Sequence, residues 1–136
     1  MTIATAKEFV ALRASEDLTE QRRASHEEAE DGVWEEVIAS YPDMRFWVAQ
    51  NKTVPLEILR ILAKDDDPRV RDMVARKRKL SAELLETLAN DSSDSVRMAV
   101  VRHPRASEVL LRRLLEDPWA EVRKVALSRL AESEAS

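Results

Sequence analysis

The chain has 136 residues, with 22 Lys and Arg against 26 Asp and Glu for a net charge of −4; 44% of residues are hydrophobic and 35% charged, the balance of one soluble, ordered domain. It contains no Cys, which excludes disulfides, thiolate metal sites, iron–sulfur clusters and cysteine nucleophiles; its single Gly, Gly32, excludes glycine-rich phosphate loops and primed hairpin turns. No apolar run approaches the roughly 18 residues of a membrane span, which leaves helices joined by tight turns.

Met1 to Glu8 shows no basic stretch followed by an apolar one, so no signal peptide is expected and the cytoplasm is the expected location. Residues 6–14 and 18–29 read as amphipathic helices, with Phe9, Val10 and Leu12 as packing residues. Residues 33–39 read as a third, with Trp34 in its core beside Val33 and Val37, and Tyr41-Pro42-Asp43 reads as a turn. Residues 1–43 carry 4 basic and 11 acidic side chains, net −7, against 18 and 15, net +3, in 44–136. They stand outside the pattern that follows and are expected to form an N-terminal helical cap within the same domain.

From residue 44 a period of 26 sets in. Val70-Arg71 recurs as Val96-Arg97 and Val122-Arg123, with Met44-Arg45 one step earlier. Val48, Val74, Val100 and Ala126 share a column, as do Leu59, Leu85 and Leu111, and Leu62, Leu88 and Leu114. Each unit predicts two short helices. Asp67-Pro68 and Asp117-Pro118 mark starts of the first kind, since an Asp caps free N–H groups and Pro lacks one. Pro55, Ser81 and Ser107 open the second kind. Neither helix can bury its apolar stripe alone, so neighbouring units must stack over 44–130. Residues 131–136, small and acidic, are expected to be a frayed C-terminal tail.

The stretch from Leu59 to Ala75, with Leu-x-x-Leu-Ala-x-Asp, then Val-Arg, then Val-Ala, resembles the leucine-rich repeat variant and HEAT-like repeats, and His103-Pro104 resembles the turn between their helices. The resemblance covers about residues 42 to 130. It implies an all-α, armadillo-like α-solenoid that serves as a binding scaffold. The iron–sulfur cluster of some members does not carry over, because Cys is lacking, and no cofactor is expected. In such repeats an Asp and an Arg at this six-residue spacing give a structural ladder, in which the carboxylate caps backbone N–H groups and meets an Arg of the same or the next repeat; here it falls on Asp65 and Arg71, Asp91 and Arg97, and Asp117 and Arg123. Second helices of such solenoids line a concave face, here expected to present Arg60, Glu86, Arg112 and Arg113.

The turns between first and second helices gather cations: Lys52, then Arg76, Lys77, Arg78 and Lys79, then Arg102, His103 and Arg105, then Arg129. The opposite turns gather acids, from Asp65-Asp66-Asp67 to Glu116 and Asp117. One basic and one acidic edge are therefore expected. Trp119 stands in a turn column otherwise filled by Asp67 and Ser93, the position of an exposed aromatic anchor or of a helix-start Trp folded back on its own repeat. No catalytic or metal-binding set can be assembled. His26 and His103 lack ligand spacing, and the adjacent acid pairs Glu27-Glu28 and Glu35-Glu36 point to different helix faces. The expected role is a non-catalytic adaptor that binds a protein partner through the concave face and the basic edge, with self-association left open. The alternative is nucleic-acid binding through Arg76 to Lys79, as in HEAT-like glycosylases of DNA repair, against which stand the pI near 5.3 and the absence of aromatics among those charges.

Overall fold

The computed structural model describes residues 1–135 as ten α-helices and one 3-10 turn, among which no helix is long and apolar enough to cross a membrane. The chain divides into two compact units, residues 1–64 and 65–136.

The first unit holds α1 (Ala6–Ala14), α2 (Leu18–His26), α3 (Val33–Ser40), the 3-10 turn Pro42–Met44, α4 (Arg45–Gln50) and α5 (Leu56–Leu62). Thr5 and Asp17 cap α1 and α2 by accepting from Glu8 N and Thr19 N. The second predicted helix stops three residues short of Ala29, because the chain there turns extended and pairs with Ile3. Ile3 N donates to Glu28 O at 2.7 Å and Glu30 N to Ile3 O at 2.9 Å, which seats the Ile3 side chain in the core. Gly32 then starts α3 at φ 84°, the left-handed region where a Cβ is strained, so the one Gly falls where the backbone requires it. Phe9 and Trp34, both buried, meet edge to face at 5.1 Å between α1 and α3. Val10 is only half-buried. Trp47 is half-buried and lies 3.6 Å beneath the Arg13 guanidinium, whose desolvation that ring face offsets.

The connection between α4 and α5 is held by Asn51, which is fully buried. Its Nδ2 donates to Ala24 O at 2.8 Å and Glu27 O at 3.0 Å, and its Oδ1 accepts from Thr53 N at 2.8 Å. Beside it, Arg23 Nε donates to Glu27 Oε2 at 2.6 Å, and this bond holds the Glu27 carboxyl below its ordinary range.

The second unit holds α6 (Pro68–Ala75), α7 (Ala82–Leu88), α8 (Asp94–Val101), α9 (Glu108–Leu114) and α10 (Ala120–Ala135). Starts at Pro68, Asp94 and Ala120, and at Leu56, Ala82 and Glu108, recur every 26 residues. Asp67, Ser81 and Ser107 accept from Arg69 N, Leu84 N and Leu110 N as side-chain caps. Asp117-Pro118 does not open its helix. Asp117 Oδ1 accepts from Trp119 N at 2.9 Å, so Pro118 lies in the turn and α10 begins at Ala120, in register with Pro68. Helix α8 packs on α6, α7 and α10, and α9 on α10. Between them Val70, Val96 and Val122, and Leu88 and Leu114, are buried, as their columns require. The expected frayed tail is instead the last turn of α10 as far as Ala135, and Ser136 lies outside the described residues.

Replacing Asn51 by Ala takes the side-chain donor from the buried Ala24 carbonyl and one of two from the half-buried Glu27 carbonyl, and should lower the unfolding free energy by about 1–3 kcal/mol in urea titrations. A second expectation concerns pH. The Glu27 carboxyl titrates lower folded than unfolded, so its contribution is complete above its ordinary range and fades as pH falls through the folded value. The melting temperatures of the wild type and Glu27→Gln should therefore differ most near neutrality and converge in acid.

Candidate functional site

The Asp of each turn in the second unit performs the same set of bonds. The carboxylates of Asp65, Asp91 and Asp117 accept from the N–H groups of Asp67, Ser93 and Trp119 at 3.0, 2.8 and 2.9 Å, which closes the turn before each helix. Their backbone carbonyls accept from Nη1 of Arg71, Arg97 and Arg123 at 2.7, 2.8 and 2.7 Å, the Arg six residues on. The carboxylate contact, by contrast, reaches across 20 residues. Arg71 donates from Nε and Nη2 to Asp91 at 2.8 and 3.1 Å, and Arg97 likewise to Asp117 at 2.8 and 3.3 Å. Arg97 also bonds Asp94. The side chains of Arg97 and Asp117 are only 8% and 2% exposed. Hydrogen bonding to Asp117 raises the pKa of Arg97 over the opposing effect of burial, and Asp91 acts in the same way on Arg71.

A second row of bonds lies in the turns expected to form the basic edge. His103 is 3% exposed, so it is not a surface member of that edge. Its Nε2 lies 2.6 Å from Lys77 O, which can only accept, and its Nδ1 accepts from Arg105 N at 3.0 Å. The ring is therefore fully engaged between two turns. Arg129 is half-buried and donates from Nη1 to Val101 O at 2.8 Å and His103 O at 2.7 Å. Asn51, Lys77, His103 and Arg129 occupy one column of the period, and its side chains at 51, 103 and 129 bond backbone carbonyls. The expectation that His103 and Arg129 face a partner from the basic edge is corrected on this ground: the carbonyls they satisfy would otherwise be orphaned. Asn51 was not singled out in the sequence. The signal was there, since three of the four column members carry several N–H donors.

What remains accessible is Arg76, Arg78, Lys79, Arg102 and Arg105 in the second unit and Lys52 in the first, while Lys77 is half-buried. Arg76 faces Asp72 at 3.3 Å. Arg76 and Arg102 line a cleft of about 280 Å³ together with Ala75, Met98, Pro104 and Trp119, which is 37% exposed; Ser95 and His103 add polar groups to it. The basic groups and Trp119, read separately in the sequence, thus line one cleft. The residues expected on a concave face are exposed on α5 (Arg60), α7 (Glu86) and α9 (Arg112, Arg113). Arg113 lies 3.5 Å from Glu86 and Arg112 2.7 Å from Glu108, solvated pairs of small energetic worth. Among the described residues no group of three His, Asp or Glu side chains is placed to hold a metal ion.

Comparison with known protein families, characterised proteins and solved structures returns no match for this chain.

The two classes of Arg should separate in denaturation experiments. Arg97→Ala strands a buried carboxylate and should cost about 3–5 kcal/mol, whereas Arg76→Ala, at the cleft, should stay within about 0.5 kcal/mol of the wild type.

Proposed function

We propose that this chain is a non-catalytic binding module, a HEAT-like or leucine-rich-repeat-variant α-solenoid whose cleft beside Trp119 receives a segment of a protein partner. The observation that carries the reading is the cleft itself, where Ala75, Met98, Pro104 and the Trp119 ring line one space with two exposed guanidinium groups. Such a site complements a bulky apolar side chain flanked by Asp or Glu. The Trp and Arg side chains supply the rigid contact area and forked donors that dominate interface energetics. The 26-residue recurrence of helix starts and of Arg–Asp bonds supports the solenoid reading.

Nucleic acid is the second reading. Arg76, Arg78, Lys79, Arg102 and Arg105 are exposed together with a Trp on which a base could stack. Two titrations separate the readings. A displayed peptide library should enrich sequences pairing an aromatic or aliphatic residue with acids, and both Trp119→Ala and Arg102→Ala should weaken the selected peptides by about tenfold or more. Labelled single- and double-stranded DNA and RNA should show at most weak binding at about 50 mM salt. Tight binding of these oligonucleotides that falls steeply by about 200 mM salt, and vanishes when Arg76, Lys77, Arg78 and Lys79 are all replaced by Ala, would overturn the protein-partner reading.

A further inference from the structure

The two guanidinium groups of the cleft beside Trp119 are not equivalent. Arg76 follows the last turn of α6 and Arg102 that of α8, one period apart, and both are exposed. One turn before Arg76 stands Asp72, whose Oδ1 accepts from Arg76 Nε at 3.3 Å and whose Oδ2 lies 3.3 Å from Nη2. The forked edge of Arg76, the edge that receives a carboxylate in two parallel bonds, is therefore filled from its own helix. One turn before Arg102 the period puts Met98, which lines the cleft, in place of Asp72. Among the described residues no group accepts from the Arg102 guanidinium and no carboxylate pairs with it, so its fork is open. Of the column Phe46, Asp72, Met98 and Lys124, Asp72 alone is acidic, so the repeat itself does not require an acid there.

We infer that the cleft reads a single carboxylate, an Asp or Glu of the partner taken by the fork of Arg102, and that Asp72 is the residue that turns phosphate groups away. This assignment rests on the cleft beside Trp119 being the binding site, and narrows the partner to an unphosphorylated acidic segment. A carboxylate carries one charge on two oxygens, which matches one open fork. A phosphate monoester carries about two charges on three acceptor oxygens, and a second guanidinium is what would favour it over a carboxylate. Arg76 is the second of the two that line the cleft, and a phosphate that shares it must displace the Asp72 carboxylate or lie close to it. Two negative charges at such a distance repel, and the Asp72 side chain is only 22% exposed, so water and salt screen the repulsion incompletely. Discrimination then comes from a group that opposes the competitor, not from further contacts to the preferred partner. The same charge opposes a nucleic-acid phosphate at Arg76.

The probes are a peptide enriched by display selection on the full protein, resynthesised with Asp and with phosphoserine at its acidic position, and inorganic phosphate. In fluorescence anisotropy Arg102→Gln should weaken the Asp form about tenfold or more, and Arg76→Gln at most about threefold. Exchange of Asp for phosphoserine should change affinity on the wild type by less than about threefold. On Asp72→Asn, which leaves the fork of Arg76 without its carboxylate, the phosphoserine form should gain about tenfold and the Asp form less than about threefold. Asp72→Met, which gives α6 the pair found on α8, should act in the same way. Thermal melts check both variants, and if one is destabilised the other carries the test. Inorganic phosphate followed by NMR needs no peptide. The Arg102 Nε–H signal should move with phosphate in the wild type, and the Arg76 signal should join it only in Asp72→Asn. Equal losses in Arg76→Gln and Arg102→Gln overturn the inference while the cleft stands as a binding site. So do a wild-type preference for phosphoserine of about tenfold or more, an Arg76 signal that moves in the wild type, and the lack of any phosphoserine gain when Asp72 is replaced. A selection that enriches no acidic peptide, or peptides whose binding ignores Trp119→Ala, overturns the cleft reading and this inference together.

Discussion

Burying a guanidinium is costly unless its N–H groups find acceptors, and Arg97 shows what meeting that demand requires. Four hydrogen bonds run from it to the Asp117 carboxylate, the Asp91 carbonyl and Asp94, so one side chain ties together the turns before α8 and α10. Each Asp in turn must be held still to serve as an acceptor, and the N–H two residues on does this by closing the turn. Asp at the turn, Arg six residues later and the next Asp 20 beyond are therefore one requirement. They sum to 26, so the period of the sequence is set by a hydrogen-bond circuit as well as by the spacing of buried Val and Leu.

The opposite turns obey a related rule with other residues. Carbonyls near the ends of α6 and α8 meet His103 and Arg129, each reaching back one period, and in the first unit Asn51 closes the α4–α5 connection. Two of the basic groups there are consumed by the fold. Their neighbours Arg76 and Arg102, one residue earlier in the period, are instead exposed and line the cleft. Structural and accessible cations therefore alternate along a few residues of one turn.

That alternation marks the limit of what could be read in advance. Helix limits were legible wherever a cap or a period defined them: α1 is found at Ala6–Ala14 as expected, and Pro55, Ser81 and Ser107 stand at the caps of their helices. They were missed where a tertiary contact decided, as at Ile3, which pulls residues 28–30 out of α2. The Asp–Arg columns were visible, but not that the six-residue partner is a carbonyl while the carboxylate serves an Arg 20 residues before it. Spacing identifies neighbours and does not say which atom of a neighbour is used. That His103 and Arg129 fall among the basic turns was visible, whereas their burial depends on helices that spacing alone does not bring together. Trp119 and Arg102 are 17 residues apart and share a cleft for the same reason.

The connecting bonds of the second unit also bear on how it assembles. Those that link one pair of helices to the next span 20 to 28 residues, and among the described residues none joins more distant parts of the unit. Closing a loop of that size costs nearly the same entropy at every step, since the cost grows only with the logarithm of length. Low contact order of this kind belongs to chains that fold quickly and grow by addition of neighbours. A newly made segment would find its partner within one period behind it on the emerging polypeptide, so the order of synthesis and the order of packing coincide.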